Sequence, residues 1–123
     1  MSSIKLFQDK KVRSIWIEEE EQWYFSVVDV VEILTESPNP RQYWRKMKDR
    51  DLKQSQLYPI WVQLRLQSSD GKRYLTDCAN VKSLFRIIQS IPSPKAEPFK
   101  QWLATVGYER MLEIERKLQE YYD

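Results

Sequence analysis

Between residues 37 and 50 the chain sets aromatic side chains among closely spaced positive charges, in the stretch Ser37-Pro-Asn-Pro-Arg-Gln-Tyr-Trp-Arg-Lys-Met-Lys-Asp-Arg50. Arginine and lysine at this density suit one chemistry above others, the neutralisation of a phosphate backbone. The wider region repeats the bias: residues 38–75 hold nine Lys and Arg against three acids, a balance of +6, although the whole chain carries only +2. Residues 1–37 hold four bases and eight acids, and residues 76–123 hold seven of each. Positive charge gathered in the middle third is what a polyanion-binding surface leaves in a sequence.

Other chemistries lack their residues. The chain has no histidine, which removes Ser-His-Asp and Cys-His nucleophile systems, histidine-ligated zinc or haem, and a histidine base. Its single cysteine, Cys78, can form neither an internal disulfide nor a thiolate cluster, and between Asp77 and Ala79 it reads as a small buried side chain. The two glycines, Gly71 and Gly107, cannot build a phosphate-cradling loop or a dinucleotide fingerprint. The acidic run from Glu18 to Glu21 reads as a solvated turn, because adjacent carboxylates without a ligand repel one another. Glu115-Arg-Lys117 contains a Glu-x-Lys fragment found in nucleases, but in a helical pattern and not on a strand. The expectation is therefore a chain without catalytic residues, metal or cofactor, and not an enzyme.

At 123 residues and 41% hydrophobic composition the chain fits one domain, 1–123, with its core over about 4–110. No apolar run is long enough to span a membrane and no cationic-then-apolar segment opens the chain, so a cytoplasmic protein without a membrane partner is expected. The elements that must carry the basic stretch follow from pattern. Residues 4–7 and 12–17 are β-prone runs, and Trp23 to Phe25 form a third after the acidic turn. Val27 to Leu34 has strand-like composition, yet Ser26 is a good N-cap, Asp29 stands where a capping box needs an acceptor, and Val27, Val30, Val31 and Leu34 keep helical spacing. That segment is expected to be a helix. Pro38 and Pro40 interrupt it; Asn39 can cap a second helix over 40–50, with Pro40 at its first position and Gln42 at its third.

On that second helix Tyr43, Trp44 and Met47 share one face, while Arg41, Gln42, Arg45 and Asp49 share another with Lys46 and Lys48 at its margins. Ile60, Val62, Leu64 and Leu66 alternate with Trp61, Gln63 and Arg65, as a half-buried strand over 60–66 would. Ser68-Ser-Asp-Gly71 has turn chemistry and 72–75 returns as the partner strand. Thr76 or Asp77 is expected to cap a helix over 77–90, followed by helices over 94–106 and 108–120 with Gly107 as the break. The fold class is α+β: a small antiparallel sheet, a helix-turn-helix-like helix pair and C-terminal helices packed on the sheet. Duplex DNA is the expected partner, with Arg41, Gln42 and Arg45 nearest the groove and Lys46, Lys48, Arg65, Lys72 and Arg73 on phosphates.

The same residues resemble a known family. Trp23-Tyr-Phe-Ser-Val-Val-Asp-Val-Val-Glu-Ile-Leu34, then Ser37-Pro-Asn-Pro-Arg41 and a basic helix, resemble the Bro-N domain, the N-terminal module of baculovirus Bro proteins and of bacterial and phage antirepressors. Gly71-Lys-Arg-Tyr-Leu-Thr-Asp77 and Ala96-Glu-Pro-Phe-Lys-Gln-Trp-Leu-Ala-Thr-Val-Gly-Tyr-Glu-Arg110 are similar to bacterial antirepressor-like proteins and to the DNA-damage-inducible protein D group. The resemblance, over about residues 4–110, implies a mixed α/β DNA-binding module of transcription regulation in prophage antirepressors, usually at the front of a longer protein. It also implies a rival partner, a repressor protein bound without DNA, for which an aromatic surface including Trp61 and the C-terminal helix would serve. Met111, Ile114, Leu118 and Tyr121 keep heptad spacing; two heptads favour packing on the domain over a homodimer, which is the lesser expectation.

Overall fold

Alternating side chains build the first hairpin, in which β1 (Ser2–Phe7) and β2 (Lys10–Ile17) pair antiparallel from Ser2 opposite Ile15 to Phe7 opposite Lys10. Gln8 and Asp9 both take positive φ, 48° and 66°, the backbone that a two-residue turn needs to match strand twist. β3 (Gln22–Ser26) pairs with β2, then β4 (Val62–Gln67) and β5 (Arg73–Asn80) form a second hairpin whose β5 joins β3. The resulting antiparallel sheet has the order β1-β2-β3-β5-β4. This computed structural model describes residues 2–52 and 61–122, with side chains described over 3–50, 61–106 and 116–121. Ile60, at the start of the expected fourth strand, lies outside the described residues.

Helices cover one face of the sheet. α1 (Val27–Thr35) starts as expected at Ser26, whose Oγ accepts from the Asp29 N–H, and it buries Val27, Val30, Val31, Ile33 and Leu34. The β-branched residues are overruled here by a cap and by an apolar stripe that has a core to enter. α2 (Pro40–Met47) is capped by Asn39 Oδ1 on the Gln42 N–H at 3.2 Å; it buries Trp44 and Met47 and passes into a π-helical turn, Lys48–Leu52. With α3 (Val81–Gln89) and α4 (Ala96–Tyr122) these elements enclose a core that includes Phe25, Leu84, Ile88, Phe99 and Leu103. Phe7 and Phe99 meet at 5.0 Å between centroids, and Trp102 stands 5.2 Å from Phe99, which fastens α4 to β1. Among the described residues no helix is long and apolar enough to cross a membrane.

Three local expectations are corrected. Thr76 and Asp77 do not cap a helix: β5 continues to Asn80, because Cys78, Ala79 and Asn80 pair with β3, and Asn80 Oδ1 caps α3 by accepting the Ser83 N–H at 2.9 Å. The two expected C-terminal helices are one, and it starts at Ala96 after a turn at Ser93. Gly107 lies within it: an interior glycine costs about 1 kcal/mol relative to alanine, too little to break a helix of 27 residues whose first half is anchored in the core. The Asp29 carboxylate does not close a capping box. It accepts instead from Arg13, at 2.9 Å from both its backbone N and its Nε, which ties the start of α1 to β2.

The core position of Trp44, 3% exposed, gives a stability test. Trp44→Ala is expected to lower the unfolding free energy by about 3–5 kcal/mol in urea titrations. A loss below about 1 kcal/mol, the range of surface substitutions, would place the indole outside the core.

Candidate nucleic-acid interface

The turn between α1 and α2 is held by a chain of short local bonds. Thr35 Oγ1 donates to the Val31 carbonyl and accepts from the Ser37 N–H, and Ser37 Oγ accepts from the Asn39 N–H. α2 therefore starts at a fixed angle, with Trp44 and Met47 inward and Arg41, Gln42, Arg45 and Lys46 exposed. Its outer face matches the expected one. Gln42 reaches back to its cap, its Oε1 accepting from Asn39 Nδ2 at 3.4 Å. Arg41 and Arg45 form no ion pair among the described residues.

Lys48 has a different position from the rest of the expected set. Its Nζ lies 2.8 Å from Asp77 Oδ2 and near two indoles, 5.5 Å from the Trp44 ring and 5.6 Å from that of Trp61. The same carboxylate accepts from Trp44 Nε1 at 2.8 Å and from Gln63 Nε2 at 3.3 Å. Trp44 and Trp61 pack edge to face at 5.4 Å. One acid thus joins α2, the π-helical turn, β4 and β5. Burial pushes the Asp77 carboxyl up, but the hydrogen bonds from Lys48 and Trp44 and the charge of Lys48 outweigh it and hold the group below its ordinary value.

The second hairpin supplies the remaining cations. Ser68 N donates to the Lys72 carbonyl, Gly71 N donates to the Ser68 carbonyl, and Gly71 takes φ +85°, a value that favours glycine. Asp70 stiffens the same turn by accepting from the Lys72 N–H and from the Tyr74 hydroxyl. Arg65, Lys72 and Arg73 are all exposed. A cleft of about 570 Å³ separates the hairpin from α2, with Arg41, Trp44, Arg45 and Lys48 on one wall and Tyr74, Leu75 and Thr76 on the other.

The structure thus places the eight expected residues on α2 and its continuation and on the hairpin beside it, seven of them exposed and Lys48 tied to Asp77. Sequence reasoning missed Arg13, on the cleft wall, whose Nη1 donates to the Gln67 carbonyl at 3.3 Å. It also missed Asp77 as the joining acid. The available signal was the strand alternation, which sets Asp77 on the face of Gln63 and Arg65. Cys78 is fully buried, and burial pushes its thiol up to about 12, an inert side chain as expected. Trp61 is half-buried against Trp44, so it does not head an open aromatic surface.

An antiparallel sheet carrying a helix-turn-helix-like pair, with a basic helix set beside a basic hairpin, makes a small α+β module. The chain belongs to the BRO family, N-terminal domain: that family model matches residues 11–110. The family is the phage antirepressor type of N-terminal domain, which suggests a regulatory role. The match does not extend to the likeness with the DNA-damage-inducible protein D group. No curated protein and no solved structure matches the chain.

The Asp77 cluster predicts a pH dependence. Because the folded group titrates below its unfolded value, its ionised form stabilises the fold above about pH 4, and that contribution is lost as pH falls through the lower folded value. Asp77→Asn should therefore melt below the wild type at neutral pH, with the gap closing in acid. A gap that stays constant from about pH 7 to 2.5 would show that the carboxylate charge contributes nothing.

Proposed function

We propose that this module binds duplex DNA in the cytoplasm as the regulatory, non-catalytic domain of a prophage antirepressor-like protein. The observation that supports the reading is a cleft lined by Arg41 and Arg45 of α2 and by Tyr74, Leu75 and Thr76 of the hairpin, two elements that also carry the exposed Lys46, Arg65, Lys72 and Arg73. Separate basic helices are common on protein surfaces; two basic elements held side by side by one partly buried acid form a surface wide enough to follow a phosphate backbone. Lys48 supports that surface by holding α2 to β5, and its charge is already matched by Asp77.

A second reading has its own observation. The sheet face turned away from the helices leaves Ile4 and Leu6 57% exposed and Ile15 and Ile17 only partly buried, an apolar area of the kind that a protein partner such as a repressor would cover. Self-association through the end of α4, where Leu118 is 53% exposed, belongs to the same class of partner.

Salt separates the two. If four to six phosphates are neutralised, log K for a duplex should fall with log salt at a slope of about −4 to −5, and Lys46→Ala with Lys72→Ala should reduce that slope by about two. An apolar interface loses little affinity over the same range. Absence of duplex binding below about 100 μM at low salt, where non-specific binders are expected well under that value, would move the function to the open sheet face.

A further inference from the structure

We infer that the β4–β5 hairpin, and not α2, reads the bases. The inference rests on the DNA-binding reading above and assigns its specificity to Arg65, Gln67, Arg73 and Leu75. The first observation is where the sheet narrows. β3 pairs with β5 only over Cys78, Ala79 and Asn80, because the chain turns into α1 after Ser26. From Asp77 to Arg73 the second hairpin is therefore a two-stranded ribbon, paired only with β4 from Gln63 to Gln67. Five residue pairs at about 3.4 Å per residue make an arm of about 17 Å, and a two-stranded ribbon is one of the two elements that the B-DNA major groove admits.

The second observation is that, beyond the Gln63–Asp77 pair tied to α2 and its continuation at the base, this ribbon is anchored by one face. On the inner face Leu66 is 1% exposed against Tyr24 and Cys78, and the Gln67 carbonyl accepts from Arg13 Nη1. Directly opposed residues share a face, so the register sets Gln67 with Arg73 and Arg65 with Leu75 on the outer side. All four are exposed, Leu75 by 55%. Arginine can pair with guanine, glutamine with adenine, and an apolar side chain can meet the thymine methyl, so this face holds a reading set on a backbone that is braced from behind. The turn at its tip is itself locked by Asp70, which accepts from Lys72 and Tyr74.

The third observation concerns α2. Arg41 and Arg45 line the cleft beside the ribbon, and Gln42 is bonded to its own cap. Eight residues long and laid alongside the hairpin, α2 is placed for the phosphate strand that flanks a groove occupied by the ribbon.

Two neutral substitutions distinguish the elements without moving the salt slope. A preferred duplex is first selected from a randomised pool with the wild-type chain. Affinities for it and for its single-base variants are then measured for Gln67→Ala and Gln42→Ala, with Arg65→Ala and Arg73→Ala as further ribbon variants. Gln67→Ala is expected to lose about 5- to 150-fold discrimination at one base pair, with Arg65→Ala and Arg73→Ala relaxing other positions, and Gln42→Ala to keep the full preference. The inference is overturned if Gln42→Ala relaxes the preference while all three ribbon variants keep it, or if the wild type binds duplexes without any preference. Both of those results leave DNA binding standing. No binding of any duplex by the wild type at low salt would instead remove the functional reading itself.

Discussion

The arrangement of the basic surface depends on a single carboxylate. Asp77 sits where the ribbon leaves the sheet and receives the Trp44 indole, the Lys48 ammonium and the Gln63 amide together. A largely buried acid is costly unless its charge is matched and its oxygens are bonded, and here both conditions are met by side chains from three other elements. The orientation of α2 against the hairpin is thereby fixed by directional bonds and not by apolar packing alone. The edge-to-face contact of Trp44 with Trp61 completes the joint beside the Lys48–Asp77 pair.

A second polar joint repeats the principle on the other side of the cleft. Arg13 binds Asp29 through its backbone N, Nε and Nη2, adds a bond to Ser26 Oγ, and reaches the Gln67 carbonyl. The start of α1, β2 and the ribbon meet at one guanidinium, whose planar fork can serve several acceptors at once. Between the two joints the edge of β5 is left open, because β3 ends early to become α1. The early end of β3 therefore produces both the helix pair and the free ribbon.

What was legible in the sequence followed from local signals strong enough to survive their surroundings. Ser26 with the valine spacing marked α1, Asn39 with Pro40 marked α2, and the alternation from Val62 to Leu66 marked β4. The misplaced boundary at Thr76 and Asp77 has a clear cause: Asp77 and Asn80 are both good caps, and the choice between them was made by pairing of β5 with β3, a contact more than fifty residues apart in the chain. Gly107 misled for the converse reason, since a weak local breaker yields to a long helix already anchored by Phe99 and Leu103. The exposed cations were legible as residues of a basic face. The pairing of Lys48 was not, because nothing near it in sequence announces a partner twenty-nine positions away.

The central claim is that α2 and the ribbon act as one surface toward duplex DNA. The most direct measurement is a titration of the isotope-labelled chain with a short duplex, followed by amide chemical-shift mapping. The account predicts that residues 41–48 and 63–75 shift along the same binding curve, while Ile4, Leu6, Ile15 and Ile17 on the open sheet face stay unmoved. Shifts gathered on that open face, or on only one of the two basic elements, would contradict it.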